Sequence, residues 1–577
     1  MHGAVVVAGR GSVSMSGAMA LREAPPAGAV TTADRVFPAV LTTVGSAVIV
    51  GYLSARAGLP VSPYAVLFLA ILAGVSACIG LRMPNAAAGE VGLALVIVVG
   101  VAGWLLRMAW PSLLPLGGAS DLTHHLQMVD YIERHWRLPR AADMDLMGNM
   151  VNYTPGLHLV TAMAGAWART DGLHAIHTVV ALSVALKSAF VLLITLRVLP
   201  AGVPRLPFAA GAVLLMFLPY DYTVGSFATY SFFAQVFAEL FAVAMWWAAT
   251  LWDERPSRSA ATLFGMAGAA TFLSWPIWIG APCVLFAAVA ALRRDLPLGV
   301  RFKDAALAFG PIAVVAIVFA AERVHAAEIV ATGGSVFRPT IARFGWTFII
   351  FTAVGVATSL ADRRSRSTIV FLAAIVLQAL ALYGVATVQH ADSPYMALKM
   401  VHIAVFPLSV CGAYAAAFVN RALASRAWAF ARAFSGAGAQ TVAWLLLMVC
   451  LRIEANSLSA IRRPKPVITE DLFQAGTWAR AHVPAGCVEY LVRDDNTAYW
   501  LHLAVLGNPS QPTATSPTPV YDFPNAASRW MTNTGFPFAI VDLSSVTRDV
   551  RTGTQELARF NTVAVDRRDV EGPCPGR

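Results

Sequence analysis

The chain has 577 residues, of which 57% are hydrophobic and 13% charged, with a mean hydropathy of +0.64. A soluble domain wets its surface with about a quarter charged residues, so a soluble globular protein is excluded. The formal net charge of +10 is read first as a topology signal against a bilayer, not as an affinity for nucleic acid.

Residues 1–35 read as a disordered cytoplasmic tail, because "MHGAVVVAGRGSVSM" has a short apolar run without a secretory cleavage pattern. A helix that crosses the hydrocarbon needs roughly 20 apolar residues, about 17 at the least. On that rule spans are expected at 36–53, 61–81, 91–109, 175–196, 207–219, 227–251, 260–274, 277–292, 305–321, 341–360, 368–388, 400–419 and 440–453, about thirteen in all. The run Leu157 to Ala168 is short and carries His158, so it is read as an interfacial or re-entrant helix. The long run Ala260 to Leu292 is interrupted by "SWPIW" and is split into a hairpin.

Lysine and arginine collect in short cytoplasmic loops. With the N-terminus inside, those loops hold Arg82; Arg197 and Arg205; Arg255 and Arg258; Arg293, Arg294, Arg301 and Lys303; Arg363, Arg364 and Arg366; and Arg421, Arg426 and Arg432. Counting 157–168 as a crossing would turn every later cluster outward. The bundle is therefore expected over 36–453 in a multi-pass bacterial plasma membrane protein, with outer loops at 110–174, 220–231, 322–340 and 389–399. An extracytoplasmic α/β domain follows at 454–577. There Glu470 to His482 reads as a helix and "CVEYLV", "FAIVDL" and "NTVAVD" as strands. Cys487 and Cys574 share this domain in an oxidising compartment, which predicts a disulfide, with two free thiols as the alternative. Cys78, Cys283, Cys411 and Cys450 lie in apolar runs as small core residues.

The segment "SDLTHHLQMVDYIERHWRLPR", Ser120 to Arg140, puts acids, histidines and arginines into this apolar chain. Its spacing predicts an amphipathic helix on the outer membrane surface, with Ser120 as cap, Asp121 in the first turn and Asp130, Glu133 and Arg134 as a solvated face. Asp121 has two readings: a residue placed for the helix dipole, or a general base that takes the proton of an attacking hydroxyl. His124 and His125 follow it, and "NYTPGLHLV" brings Tyr153 and His158. The same Asp-His-His set could hold a divalent metal, but no tight zinc ligand pattern accompanies it, so no metal is assigned and no cofactor is required.

These motifs resemble the C superfamily of glycosyltransferases, the GT-C fold: membrane enzymes, among them oligosaccharyltransferases, protein mannosyltransferases and arabinosyltransferases, that use lipid-phosphate-linked sugars. The matching features, in order along the chain, are "DLTHH" in the first large outer loop, "YTPGLH", the second loop "LPYDYTVGSFATYSFFAQ", and "FLSWPIW" between two spans. The resemblance implies that Asp121 is the catalytic base and that Asp221 sits at a second acidic position, with inversion at the anomeric carbon. The second loop lacks the Asp-Asn-Glu arrangement of the oligosaccharyltransferases, which argues against their metal site and against asparagine glycosylation. The implied partners are a polyprenyl-phosphate-linked sugar, an acceptor glycan, lipid or protein, and the bilayer.

An anionic donor needs cations. Lys399 in "DSPYMALKM", one turn after Tyr395, could neutralise a lipid phosphate or simply snorkel. Arg323, His325 and Arg338 offer further positive charge, or an ion-pair set with Glu322 and Glu328. Lys187 inside a span is either functional or one half of a bundle-facing pair. Tyr220, Tyr222, Phe227, Tyr230, Phe232, Phe233, Trp275 and Trp278 are expected mostly in the interfacial aromatic belt. Competing functions are a transporter or flippase of lipid-linked sugars, which would show internal repeats that are not detected here, and a polysaccharide polymerase or ligase.

Overall fold

The computed structural model describes residues 36–80, 88–117, 121–200, 203–322, 336–426, 465–509, 522–569 and 574. The span expected at 440–453, Cys450, Arg323, His325 and Glu328 lie outside these residues, as do the side chains of Asp121 and Glu322.

Helices in the bundle are α1 (Val36–Arg56), α2 (Pro63–Gly80), α3 (Ala88–Ala109), α4 (Asp121–His135), α5 (Gly156–Ala168), α6 (Gly172–Val198), α7 (Arg205–Met216), α8 (Phe233–Glu254), α9 (Arg258–Ser274), α10 (Gly280–Leu292), α11 (Leu298–Glu322), α12 (Trp346–Ser359), α13 (Arg366–Val388) and α14 (Tyr395–Arg426). Among the described residues eight of them, α1, α2, α3, α6, α8, α11, α13 and α14, are long and apolar enough to cross a membrane. The count of thirteen is therefore not reproduced. At 12, 13 and 14 residues, α7, α10 and α12 extend only about 18–21 Å at 1.5 Å per residue, short of a 30 Å hydrocarbon layer. The expected break in 260–292 falls at Trp275, which leaves helical geometry (φ −157°, ψ 91°) ahead of Pro276.

Burial sorts the spans into layers. Helix α8 is wholly enclosed and α6 nearly so, whereas α2, α3, α11 and α13 bury less than a quarter of their span. Their outward residues are apolar, with Phe68, Val99, Ile317 and Leu380 all more than 60% exposed. An exposed apolar surface on that scale is stable only against lipid. The chain is a multi-pass membrane protein with α6 and α8 at its centre. Local signals set several helix starts: Asp171 caps α6 through the His174 amide and Ser257 caps α9 through that of Ala260.

Beyond residue 465 lies an α/β unit: α15 (Glu470–His482), β1 (Val488–Leu491), α16 (Asp495–Trp500), a π-helical turn at Leu501–Val505, α17 (Phe523–Met531), β2 (Phe538–Asp542), β3 (Gln555–Phe560) and β4 (Val563–Arg567). The sheet order is β1-β2-β4-β3, with β1 parallel to β2 and the other pairs antiparallel. Strand alternation gives it two apolar faces. Tyr490, Ile540, Val563 and Val565 join the core shared with α15, and Leu491, Ala539 and Val541 form a second core with Ala526 and Trp530 of α17. A disulfide joins Cys487, just before β1, to Cys574. The unit packs on the bundle, where Leu116 and Pro466 form an antiparallel bridge.

Candidate active site

The acidic helix α4 does not lie free on a membrane surface. Leu122, Thr123, His125, Leu126, Gln127, Met128, Val129, Tyr131 and Ile132 are all buried, because α5 and α6 cover one side and the C-terminal unit the other. The solvated face expected of Asp130, Glu133 and Arg134 is thus corrected for the two acids. Asp130 accepts two bonds of 2.9 Å from Arg480 and one of 3.1 Å from Arg134, and only Arg134 is exposed.

Glu133 accepts the backbone N–H of Gly172 at the start of α6, a position the helix dipole favours. Burial, followed by the nearby Asp171 and Asp130 carboxylates, nevertheless pushes it up to about 8. At Asp171 burial acts the same way, but the bonds from His174 outweigh it and hold the carboxyl below its usual value. Glu133 therefore binds a proton in the folded state that it releases when unfolded. Its stabilising share is intact below about pH 4.3 and is lost as pH climbs to 8, at up to about 1.4 kcal/mol per pH unit. Glu133→Gln is expected to melt above the wild type by a margin that widens from pH 5 to 8 in detergent; superimposable pH profiles would refute it.

His125, Tyr153 and His158 converge. His125 Nδ1 and His158 Nε2 are 2.9 Å apart, with the rings stacked at 5.1 Å. The Tyr153 ring stands edge-on to both, at 4.9 and 5.8 Å, and reaches Trp275 at 6.0 Å. The "YTPG" segment is held against the "SWPIW" break by Thr154, whose hydroxyl donates to the Ser274 carbonyl at 3.0 Å. Burial, then the His125 ring, hold the His158 imidazole well below its usual range, so it is neutral near pH 7. His124 faces the C-terminal unit instead, with Nε2 3.0 Å from the Tyr499 hydroxyl.

A second cluster forms around Asp221. Its carboxylate pairs with Arg343 and accepts from the Tyr230 hydroxyl at 3.1 Å. Burial, then Asp221, raise the Tyr230 phenol above its ordinary value. Arg338, a sequence candidate for the donor phosphate, is exposed, and the partner of Asp221 is Arg343, five residues further on. Lys399 does not snorkel to water. It is 1% exposed, and its Nζ sits 3.0 Å from the Phe232 ring centroid and 5.1 Å from that of Tyr395. One turn on, His402 Nδ1 lies 3.1 Å from Ser226 Oγ, which donates to the Asp221 carbonyl. The interfacial belt is also corrected: Tyr222, Phe227, Phe233 and Trp278 are fully buried, with Tyr222 packed on Phe337, Phe344 and His402.

The clusters share one end of the bundle. Ser231, the neighbour of Phe232, donates to the Leu116 carbonyl at 2.8 Å. Helix α4 begins at Asp121, four residues after Gly117, and four residues reach at most about 14 Å. The backbone of Asp121 therefore starts within about that distance of the loop carrying Phe232, whose ring faces Lys399 of α14. Among the described residues no three His, Cys, Asp or Glu side chains converge to hold a metal ion.

Deeper in the bundle Lys187 pairs with Glu239 at 2.5 Å, both at most 2% exposed, so the bundle-facing alternative for Lys187 is the one observed. Glu239 also accepts from Gln235 at 3.3 Å, and Lys187 Nζ lies 4.7 Å from the Phe406 ring centroid on α14. Several residues of these networks escaped the sequence reading, among them Glu239, Arg343, His402 and Tyr499. Glu239 was legible in principle as the one acid inside "FAQVFAELFAVAM"; Arg343, His402 and Tyr499 carried no local signal.

No family model matches the chain, and no curated protein matches it. Solved structures similar to it include the archaeal oligosaccharyltransferase AglB from Archaeoglobus fulgidus in complex with an inhibitory peptide and a dolichol-phosphate, at 14% identity over 79% of this chain and 70% of that one, with a TM-score of 0.45. ArnT from Cupriavidus metallidurans in the apo state is also 14% identical, over 84% of this chain and 98% of that one, at 0.45. The arabinofuranosyltransferase AftD from Mycobacteria is 13% identical over 84% and 40%, at 0.47. At this level of identity and superposition the likenesses assign no activity, substrate or residue role to this chain.

Proposed function

We propose that the chain is an integral membrane glycosyltransferase that moves a sugar from a polyprenyl-phosphate donor to a glycan, lipid or protein acceptor on the outer face of the membrane. The observation that supports this reading most is the meeting at one end of the bundle of the acid-bearing start of α4, the His125–Tyr153–His158 cluster and the cation-bearing Phe232–Lys399 and Asp221–Arg343 cluster. In the reaction the acceptor hydroxyl attacks the anomeric carbon and its proton passes to the Asp121 carboxylate. The bond from that carbon to the phosphate oxygen breaks, and polyprenyl phosphate leaves with the electron pair. Lys399 and Arg343 neutralise the departing phosphate. His124, His125, Tyr153 and His158 bind the sugar, Tyr395 shapes the lysine's surroundings, and Asp221 orients Arg343.

The test is release of polyprenyl phosphate from a panel of polyprenyl-phosphate sugars by purified protein in detergent. Asp121→Asn is expected to slow release by about 10²- to 10⁴-fold, the usual worth of a general base. Equal release by both proteins removes Asp121 from the mechanism. Movement of the donor across liposomes without bond cleavage makes the protein a transporter.

A further inference from the structure

We infer that the C-terminal unit completes this site, with Tyr499 as a positioning residue that holds His124 for the donor sugar. The inference rests on the sugar-transfer reading. His124 stands three residues after the start of α4 at Asp121. Its Nε2 is engaged by the Tyr499 hydroxyl at 3.0 Å, with the rings edge-to-face at 6.0 Å. That bond fixes the rotamer of the imidazole.

The contact belongs to a clamp along a single stripe of α4. Three residues beyond His124, Gln127 donates to the Asn508 carbonyl at 3.2 Å, and three beyond that Asp130 takes its paired bonds from Arg480. Arg480 also donates to the Val505 carbonyl at 2.6 Å, tying α15 to the π-helical turn that follows Tyr499. Gly507, at φ +69°, lets the chain pass close by: a Cβ there would lie 2.2 Å from Arg480 Nη2. Behind the turn Tyr490, His502 and Asn508 form a buried network, with the Tyr490 hydroxyl 2.9 Å from His502 Nδ1. Three polar contacts at regular helical intervals, supplied by elements more than 300 residues away in sequence, set the rotation of α4 about its axis. They thereby set the direction in which His124 presents itself.

Tyr499→Phe removes one oxygen and keeps the ring. Its KM for the polyprenyl-phosphate sugar is expected to rise by about tenfold, the scale of one lost hydrogen bond. Misfolding would lower the active fraction and the maximal rate but would leave KM in place, so KM separates positioning from a merely structural role. In parallel, ¹⁵N spectra of histidine-labelled protein, with the His124 signal assigned by its loss in His124→Gln, are expected to shift in Tyr499→Phe. Gly507→Ala, which displaces Arg480, is expected to raise KM in the same direction. An unchanged KM in Tyr499→Phe, or an unmoved His124 resonance, overturns the inference. If the wild type cleaves none of the donors, the sugar-transfer reading fails by itself, and the resonance alone decides whether the contact exists.

Discussion

Lys187→Met is expected to lower the stability of the bundle by about 3–5 kcal/mol, the cost of leaving one half of a buried ion pair without its partner. Lys187 and Glu239 are 2% and 1% exposed and lie on the two most enclosed spans. Glu239 would keep only the bond from Gln235, and water cannot enter to replace the ammonium. The double variant Lys187→Met, Glu239→Leu is expected to recover most of the loss, because two apolar side chains of similar volume remove both charges at once. Thermal unfolding in detergent of the two single variants and the double variant checks this. A wild-type melting temperature for Lys187→Met would show that the pair contributes nothing, and a double variant no better than the singles would show that two apolar side chains do not replace it. The consequence reaches the site, since Lys187 lies against Phe406, and Phe406 follows Lys399 and His402 on one face of α14 at spacings of three and four residues.

The long spans were legible because hydrophobic runs of 18–27 residues have few other uses. The break at Trp275 was legible because proline cannot continue a helix. The pairing of Cys487 with Cys574 followed from two cysteines sharing one polar unit. What failed was the environment of α4. Its polar positions suit a wet surface equally well as a groove between two folded bodies, and only the tertiary docking of Arg480, Tyr499 and Asn508 distinguishes the two. The same limit applied to Arg338 and Arg343, arginines five residues apart in one loop. Which of them meets Asp221 depends on the turn taken after residue 340. The aromatic residues near loop ends were assigned to the interface by sequence position, yet Tyr222, Phe227 and Trp278 point into the core. Strand β3, "QELARF", was missed because it has no buried residue and a third of it is charged, so its alternation is faint.

Gly355 is the position where one added methyl group should cost the most for its size. A Cβ built there would lie 1.9 Å from the Cys411 carbonyl oxygen, 2.2 Å from its carbon and 2.9 Å from the Gly412 nitrogen. All three are backbone atoms of α14, so no rotamer change relieves the clash and helices α12 and α14 must move apart. Without a hydrophobic drive between helices in lipid, such close backbone approach is a main source of helix association. Gly355→Ala is accordingly expected to destabilise the protein by about 1–3 kcal/mol, the usual cost of overpacking. It is also expected to weaken donor turnover, because α14 carries Lys399 against Phe232. Gly100→Ala supplies the comparison: it too lies inside a spanning helix, but a Cβ there meets nothing within 4 Å. The better helix propensity of alanine should leave it at wild-type stability or up to about 1 kcal/mol above. A Gly355→Ala protein that melts and turns over like Gly100→Ala would mean that α12 and α14 do not touch at that crossing, and that α14 is held in register with the site by Lys187, Phe406 and the Asp221 loop alone.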